Sequence, residues 1–275
     1  MSDEFYLFRG CLIPTRLPFL ERSSLFVLDK LGMTYENLPG ATCCVEPIGL
    51  RSLALDTWLV TAARMLAIAE NDGRDILTLC NGCYVSLREA RHILESREER
   101  DRVNSVLDEI GIEYNGTADV LHLCGITKDM EKKVRSCVVR PQESFRVAVH
   151  PGCHIVRPST VTDIDSRFSP HVISDIAKWV GSEVVYSEDW PKCCGGGIAG
   201  TSDDISSRVL EEALAEFRRA GANSILTPCP FCFVQFDVKQ KEGIPVLYLS
   251  ELLALAFGAT PESIGMRYHR TKIIV

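Results

Sequence analysis

The chain has 275 residues, of which 46% are hydrophobic and 24% charged, and its formal net charge is −7. This composition excludes a mainly disordered protein, because disorder requires low hydrophobicity and high net charge. The acidic balance argues against a nucleic-acid or anionic-membrane binder, since both need clustered lysine and arginine.

Predicted strands and helices alternate along the chain. Short apolar, β-rich runs predict seven buried strands, at residues 5–9, 75–79, 119–122, 145–150, 183–186, 224–227 and 245–248. An apolar stripe predicts an amphipathic helix from about Leu50 to Glu70. A second helix is predicted from Ser202 to Ala220, with a polar cap at its start and Gly221 at its end. The alternation predicts an α/β fold with parallel-rich sheets.

Nothing in the sequence indicates export or membrane insertion. No apolar run reaches the roughly 18 to 20 residues of a membrane helix, and the longest apolar-rich stretch, Leu247 to Phe257, is interrupted by Ser250 and Glu251. The residues from Met1 to Phe5 lack the basic region and apolar core of a secretory signal. We therefore expect a cytoplasmic protein with no membrane span.

Cysteine is the unusual feature of the composition, with twelve residues. Disulfide scaffolds are small and secreted, so this set in a reducing compartment indicates metal ligands or redox chemistry. Ten of the twelve follow the pattern C…CC…CxxC, which occurs twice with offsets of 142, 150 and 149 residues. The first copy comprises Cys11, Cys43, Cys44, Cys80 and Cys83, and the second comprises Cys153, Cys193, Cys194, Cys229 and Cys232.

The sequence around these cysteines repeats as well. The segment from residue 5 to 11 corresponds to 147–153, and 75–80 corresponds to 224–229. An internal duplication of about 130 residues explains these matches. We expect two pseudo-symmetric domains, residues 1–135 and 136–275, joined through the charged segment from Lys128 to Ser144.

The duplication also classifies the two remaining cysteines. Cys124 aligns with Ser250, so that position does not require a thiol. Cys137 lies in the charged segment and has no counterpart in the other copy. We interpret both as small packing residues and not as ligands.

The predicted positions of the ten repeated cysteines suit metal binding. The CxxC pairs come where a strand turns into a helix, and the free N–H groups there favour thiolates. The adjacent Cys193 and Cys194 face one centre if they lie in a turn, which the following Gly195-Gly196-Gly197 permits. A strained disulfide between the two neighbours is the alternative, and a reducing cytosol disfavours it.

Five thiols per copy bear on the choice of metal. Tetrahedral zinc and a cubane iron–sulfur cluster each use four ligands. The fifth thiolate bridges two irons in a more open cluster, or one cysteine is spare. Zinc stays an alternative, although each copy offers one CxxC pair and not the usual two. Two facing clusters would each supply one of the two electrons that reductive cleavage of a disulfide requires.

These motifs resemble a known family. The duplicated pattern, with Cys193-Cys194-Gly195 and Cys229-Pro230-Phe231-Cys232, resembles the cysteine-rich CCG domain. The segments 79–84 (LCNGCY) and 223–232 (NSILTPCPFC) are similar to the B subunit of heterodisulfide reductase, and the resemblance covers nearly the whole chain. It implies a noncubane [4Fe-4S] cluster in each domain, near the domain interface, with all five cysteines of that copy as ligands.

The resemblance also implies an activity and partners. The activity is the reduction of the coenzyme M–coenzyme B heterodisulfide, bound between the two clusters, in methanogenesis. Electrons would come from the ferredoxin-like C subunit of heterodisulfide reductase, supplied by the A subunit, which carries flavin and iron–sulfur clusters. Hydrogenase or formate dehydrogenase would be further partners in a larger complex.

One departure from the family pattern concerns the first adjacent pair. It reads Cys43-Cys44-Val45-Glu46-Pro47, without the glycine for which the domain is named. Valine has less backbone freedom than glycine, so we expect a differently shaped first site. That site would relay electrons while the second site performs most of the chemistry.

Several residues near the second set of cysteines are candidates for catalysis. The catalytic candidates are Cys193, Cys194, His154 and Lys192. His154 and His150 flank Cys153 and suit hydrogen bonding to a cluster sulfur or proton supply, with ordinary packing as the alternative. Lys192 and Arg157 suit an anionic substrate group, with a solvated surface charge as the alternative. The basic segment from Arg267 to Lys272 is predicted either to dock a partner or to fray.

Two rival functions remain open. The first is a CCG-type redox subunit of another oxidoreductase or of a sulfur-metabolising complex. Many such proteins carry a fused ferredoxin motif, CxxCxxCxxxC, and this sequence has none. The second is an electron-relay module without chemistry of its own.

Overall fold

The computed structural model of the chain describes residues 4–45, 48–187, 192–241 and 243–273. Eight strands occur there: β1 (Glu4–Phe8), β2 (Thr34–Asn37), β3 (Asp75–Thr78), β4 (Val120–His122), β5 (Arg146–Val149), β6 (Glu183–Ser187), β7 (Ser224–Thr227) and β8 (Val246–Tyr248). The α-helices are α1 (Leu12–Arg16), α2 (Pro18–Leu31), α3 (Leu50–Leu53), α4 (Leu55–Asn71), α5 (Asn81–Ile93), α6 (Arg97–Leu107), α7 (Leu123–Asp129), α8 (Glu131–Cys137), α9 (Val172–Trp179), α10 (Asp203–Arg219), α11 (Pro230–Val238) and α12 (Leu249–Ala256). Short 3-10 turns cover Asp108–Ile110, Cys153–Ile155 and Met266–Tyr268.

The strands form two four-stranded parallel sheets with the same internal order. The first sheet is β2-β1-β3-β4 and the second is β6-β5-β7-β8. This result confirms the predicted α/β class with two repeated parallel sheets. In both sheets the strand order reverses between the first and third strands of the repeat. Ligands of open parallel sheets bind at that switch point, outside the carboxyl ends of the strands.

The seven predicted strands are all present, and the eighth, β2, was missed. Its sequence Thr34–Asn37 is polar and largely exposed at the sheet edge, so it lacks the apolar signal of a buried strand. The predicted helix from Leu50 to Glu70 is divided at Ala54, where the backbone leaves the helical region. The predicted linker from Lys128 to Ser144 contains helix α8, which buries Val134.

The two halves pack against each other in a reciprocal way. Helix α12 of the second half packs on α2 of the first, and α7 of the first half packs on α9 of the second. Ser250 in α12 shares hydrogen bonds with Ser23 and Ser24 of α2. The buried hydroxyl of Tyr248 donates to the carbonyl oxygen of Leu79 in the other half. Within the described ranges, every helix is too short or too polar to span a lipid bilayer.

The C-terminal segment lies against the second half. Asp237 accepts hydrogen bonds from the backbone of Arg270 and Thr271, each at 2.9 Å. The buried His269 places Nε2 2.8 Å from Oε1 of the buried Glu251. The fraying alternative is therefore wrong for the basic segment as far as Ile273; residues 274 and 275 lie outside the described residues.

The pair formed by His269 and Glu251 predicts a pH-dependent stability. Burial lowers the pKa of His269, but the carboxylate of Glu251 raises it, and the net shift is upward. A raised folded-state pKa gives stability that is fully present below the unfolded value of about 6.5 and is lost as pH rises through the folded value.

We therefore expect the wild-type chain to lose more free energy of unfolding than the His269→Gln variant between about pH 5.5 and about pH 8.5. Urea unfolding at both pH values measures this difference. Equal losses in the two proteins would contradict the assignment to His269.

Candidate metal centre

Each half gathers its five repeated cysteines at the carboxyl ends of its sheet. Cys11 follows β1, and Cys80 follows β3 as the N-cap residue of α5. Cys153 begins the 3-10 turn after β5, and Cys229 follows β7 as the N-cap residue of α11. The first and third strands of each repeat are neighbours. The cysteines that follow them therefore lie at the switch point, where a ligand is expected.

Neighbouring thiols form a continuous hydrogen-bonded row in each half. The row of the first half is Cys11, Cys43, Cys44, Cys83 and Cys80. The row of the second half is Cys153, Cys193, Cys194, Cys232 and Cys229. The order within the repeat is the same, and the rows meet where the thiols of Cys80 and Cys229 hydrogen-bond to each other. The structure thus brings all ten predicted ligands into one group.

The outer ends of the two rows reach solvent and their middle is buried. Cys11, Cys43 and Cys193 are exposed, and Cys153 is half-buried. The six buried members are Cys44, Cys80, Cys83, Cys194, Cys229 and Cys232. None of the twelve cysteines is in a disulfide, so the alternative of a bond between adjacent cysteines does not occur.

The electrostatics of the rows favour a bound cation. Hydrogen bonds from flanking thiols lower the pKa of Cys43 to about 2 and hold the pKa values of Cys80 and Cys194 well below the usual value. For the other seven thiols, neighbouring sulfurs and burial together raise the pKa: Cys11, Cys44, Cys83, Cys153, Cys193, Cys229 and Cys232. Without a metal, the thiols of a row cannot all be ionised, because adjacent buried negative charges repel each other. A metal centre offsets that charge and lets the thiols bind as thiolates.

The donor set therefore fits an iron–sulfur group. Every donor in the two rows is a sulfur atom, and soft thiolates select zinc, copper(I) or iron–sulfur clusters. Each half supplies five sulfurs, one more than tetrahedral zinc uses. The CxxC pairs also lie at helix N-termini, where backbone N–H groups favour a negatively charged cluster.

The first loop lacks the glycine of the second, but the two loops share one backbone feature. Val45 has φ 57° and Gly195, its equivalent, has φ 84°, so both occupy the left-handed region. That region is rare for a β-branched residue and costs roughly 1–2 kcal/mol. The loops after the two adjacent cysteine pairs therefore turn in the same sense despite the missing glycine. Glu46 and Pro47 lie outside the described residues.

Each cysteine group opens into a cleft that the other half helps to form. The first cleft, of about 30 Å³, is lined partly by Pro230 and Phe231 of the second half. The second cleft, of about 280 Å³, is lined partly by Ile48, Asn81 and Gly82 of the first half. The middle residues of each CxxC motif thus line the cleft of the opposite half. The second cleft has more room than the first.

The two centres also differ in their immediate polar neighbours. The side chain of His150 hydrogen-bonds to the thiol of Cys194 and helps to lower its pKa. Its ligand atom lies within 4.8 Å of the sulfurs of Cys194 and Cys232. The equivalent position of the first half is Phe8, which cannot donate a hydrogen bond. Histidine is thus a distinguishing feature of the second centre.

The other candidates predicted from sequence occupy different places. His154 lines the second cleft and hydrogen-bonds to the thiol of Cys153. Lys192 is not among the residues that line either cleft in the described part of the chain. Its ammonium group lies 2.6 Å from the carboxylate of Glu216. Arg157 is half-buried and also lies outside that lining.

The two cysteines interpreted as non-ligands lie apart from the clefts. Cys124 is fully buried, and its backbone N–H donates to Nδ1 of His122. The thiol of Cys137 lies 3.5 Å from the carbonyl oxygen of Lys30. Neither belongs to the described lining of the clefts.

Sequence reasoning missed three residues that line the clefts. Arg9 lines the first cleft and pairs with Glu21 at 2.7 Å. Asn81 is buried, and its amide donates to the carbonyl oxygen of Pro151 in the other half. Phe231 lines both clefts. Their positions within or beside the repeated cysteine motifs were the available signal.

Comparison with known proteins places the chain in a family. Residues 5–88 and 147–237 each match the family model of the cysteine-rich domain, CCG. The chain is 39% identical over 274 residues to the B subunit of the ferredoxin/F(420)H(2)-dependent CoB-CoM heterodisulfide reductase of Methanosarcina acetivorans, covering 94% of this chain and 91% of that protein. It is 34% identical over 278 residues to a protein of Archaeoglobus profundus named as similar to the B subunit of heterodisulfide reductase, covering 95% and 93%.

More distant similarities extend over the same length. The chain is 29% identical over 285 residues to the membrane anchor subunit of the 8-methylmenaquinol:fumarate reductase of Wolinella succinogenes, covering 98% of this chain and 97% of that protein. A hypothetical protein from Helicobacter pylori has a similar fold, with a TM-score of 0.73 at 16% identity over all of this chain and 53% of that one. The chain carries two copies of the cysteine-rich CCG domain and belongs to the family of heterodisulfide reductase B subunits.

Proposed function

We propose that this chain reduces the coenzyme M–coenzyme B heterodisulfide to two thiols at two noncubane [4Fe-4S] clusters. The observation that carries the proposal is the meeting of two five-cysteine groups at Cys80 and Cys229, beside a cleft of about 280 Å³. Relatives at 39% and 36% identity are named as B subunits of CoB-CoM heterodisulfide reductases, which supports the choice of substrate.

The ten cysteines would hold the clusters, which would supply single electrons and iron sites for sulfur. Reduction of the disulfide consumes two electrons and two protons and yields two thiols. Cys193 and Cys194 lie in the roomier cleft, where the substrate sulfurs have access. His154 lines that cleft and is suited to deliver a proton to a departing thiolate.

The remaining polar candidates are proposed to bind the anionic groups of the substrate. Arg9 lines the first cleft, and its guanidinium would bind an anionic group there in exchange for its ion pair with Glu21. Lys192 would bind an anionic substrate group in the second cleft only if it left its ion pair with Glu216. We further propose two domains, residues 1–135 and 136–275, whose boundary falls within α8 of the linker.

The relatives are named as B subunits of CoB-CoM heterodisulfide reductases, which supports the presence of partner subunits. We propose that the ferredoxin-like C subunit of heterodisulfide reductase delivers electrons and that the A subunit, with flavin and iron–sulfur clusters, supplies them. Hydrogenase or formate dehydrogenase are proposed as members of a larger complex. Twelve cysteines without disulfides support a reducing, cytoplasmic location.

Anaerobic purification followed by metal analysis and turnover tests this function. We expect roughly eight iron atoms and equal acid-labile sulfide per chain. Reduced protein mixed with the coenzyme M–coenzyme B disulfide should release two thiols per disulfide. Adding coenzyme M to the oxidised protein should give a new paramagnetic EPR signal. Zinc in place of iron, or iron without thiol release, would overturn the proposal.

A second candidate is a CCG redox subunit of another oxidoreductase. The relative from Wolinella succinogenes, named as part of an 8-methylmenaquinol:fumarate reductase, favours it. This candidate predicts the same iron content without release of thiol from the heterodisulfide. A relay module without its own chemistry gives the same result, and activity with a quinol or another donor in the assembled complex separates the two.

The contrast between His150 and Phe8 predicts different potentials for the two centres. A hydrogen bond from His150 to Cys194 stabilises the more negative, reduced state. Removing it in His150→Phe should lower the reduction potential of the second centre by roughly 60 to 130 mV. EPR-monitored redox titration measures the shift, and the first centre serves as the internal control. A shift of both centres together would contradict the prediction.

A further inference from the structure

A buried hydrogen-bond relay holds the adjacent cysteine loop of the first half. The hydroxyl of Ser86 in α5 donates to the carbonyl oxygens of Cys44 and Val45, at 2.9 and 3.2 Å. The same hydroxyl accepts from Nε1 of Trp58 in α4 at 2.8 Å. Ser86 and Trp58 are fully buried. The Ser86 hydroxyl therefore acts both as an acceptor, from Trp58, and as a donor, to the cysteine loop.

The second half contains a relay of the same kind. The hydroxyl of Ser206 in α10 donates to the carbonyl oxygen of Gly195 at 2.9 Å and accepts from Nε2 of Gln235 in α11 at 2.9 Å. Ser206 and Gln235 are both buried, at 4% and 3% exposure. This loop follows Cys194 closely, because Gly195 is the next residue.

The two relays join equivalent positions of the two repeats. The serine and its hydrogen-bond donor, however, are exchanged between the two helices. Trp58 and Ser206 are each the fourth residue of their helix, α4 and α10. Ser86 and Gln235 each stand three residues after the second cysteine of their CxxC motif. The serine therefore lies on the CxxC helix in the first half and on the other helix in the second. The loop carbonyl is held by a serine hydroxyl in both cases, although the serines are not equivalent.

We propose that Ser86 and Ser206 are positioning residues, each of which fixes the adjacent cysteine pair of its own half for binding to its own centre. The inference rests on the proposed function only in taking those cysteines as cluster ligands. In the first half the hydroxyl also holds the carbonyl of Val45, whose backbone is in the strained left-handed region. Each relay links the adjacent pair to the helix that carries the CxxC pair. It thereby fixes four of the five ligands of a centre relative to one another.

The relays are independent of each other. Within the described residues, the two sets of hydrogen bonds share no atom, and each remains within its own repeat. Removal of one serine is therefore expected to loosen one pair and leave the other in place. That selectivity distinguishes positioning from a general loss of stability.

The first test uses the full chain without metal. Reaction of Cys44 and Cys194 with iodoacetamide is followed by mass spectrometry in wild type, Ser86→Ala and Ser206→Ala. Ser86→Ala should raise the rate at Cys44 about tenfold and leave Cys194 unchanged, and Ser206→Ala should do the reverse. Ser86→Thr and Ser206→Thr keep the hydroxyl and should restore most of the wild-type rate. Equal changes at both cysteines, or no change at either, would overturn the proposal.

The second test uses the iron-loaded chain. Ser86→Ala should reduce the EPR signal and iron of the first centre while the second keeps its signal, and Ser206→Ala should show the opposite pattern. If the wild type binds no iron, the proposed function fails, and the labelling test still decides the inference. If an alanine variant does not fold, Trp58→Phe and Gln235→Met replace it. These remove the bond to the serine, and each should loosen only the cysteine pair of its own half.

Discussion

Replacing Cys194 by serine should eliminate the second centre and leave the first intact. Cys194 is buried in the middle of its row, where it contacts the thiols of Cys193 and Cys232. A serine hydroxyl is a hard, weakly acidic group and does not replace a thiolate as a ligand of iron–sulfur clusters. We expect the iron content to fall from roughly eight to roughly four atoms per chain. Thiol release from the heterodisulfide should cease.

Cys124→Ser is the matched control for this substitution. Cys124 is also fully buried, but its equivalent in the second half is already Ser250. Iron, sulfide and turnover should therefore remain at the wild-type level. Full iron content in Cys194→Ser, or an equal loss in Cys124→Ser, would show that the ten-cysteine assignment is wrong.

Substituting Gly195 by alanine should destabilise the fold more than any other alanine in this glycine-rich loop. Gly195 has φ 84°, and a Cβ atom there would lie 2.7 Å from the carbonyl oxygen of Ser206. The left-handed backbone costs about 1–2 kcal/mol and the forced shift of α10 costs about 1–3 kcal/mol. The free energy of unfolding should therefore fall by about 2–5 kcal/mol.

Gly200→Ala provides the comparison, because it shares the backbone strain without the collision. Gly200 has φ 89°, and a Cβ atom there meets no described atom within 4 Å. The free energy of unfolding should fall by only about 1–2 kcal/mol in Gly200→Ala. Urea unfolding of the metal-free chains measures both values. If Gly200→Ala lowered the free energy of unfolding as much as Gly195→Ala, the close approach to Ser206 would not contribute to the destabilisation.

Much of this fold could be predicted from the sequence because the signals are local and repeated. Seven strands are short apolar runs, and the ten cysteines keep their spacing in both copies. The edge strand β2 could not be predicted, since its residues Thr34–Asn37 face solvent and carry no apolar pattern. The left-handed Val45 also contradicts local preference, and Ser86, 41 residues away, supplies the bond that holds its carbonyl.

The residues that line each cleft could not be predicted from the sequence, for a different reason. Residues that line one cleft come from both repeats, such as Asn81 with Cys153 and Phe231 with Cys11. No periodicity within one repeat indicates which surface meets the other repeat. The partner of Lys192 was hidden in the same way, because Glu216 lies on the far part of α10.

The reciprocal packing of α12 on α2 and of α7 on α9 has an evolutionary consequence. In these two contacts the repeats exchange equivalent helices, as in an isologous two-fold interface. A one-repeat ancestor with this fold would have been a homodimer, with its innermost cysteines meeting on the symmetry axis where Cys80 and Cys229 now meet. Fusion of two gene copies would allow the two repeats to differ in sequence. Histidine at position 150 opposite phenylalanine at position 8, and Asn81 opposite Pro230, are differences that such a homodimer could not have carried.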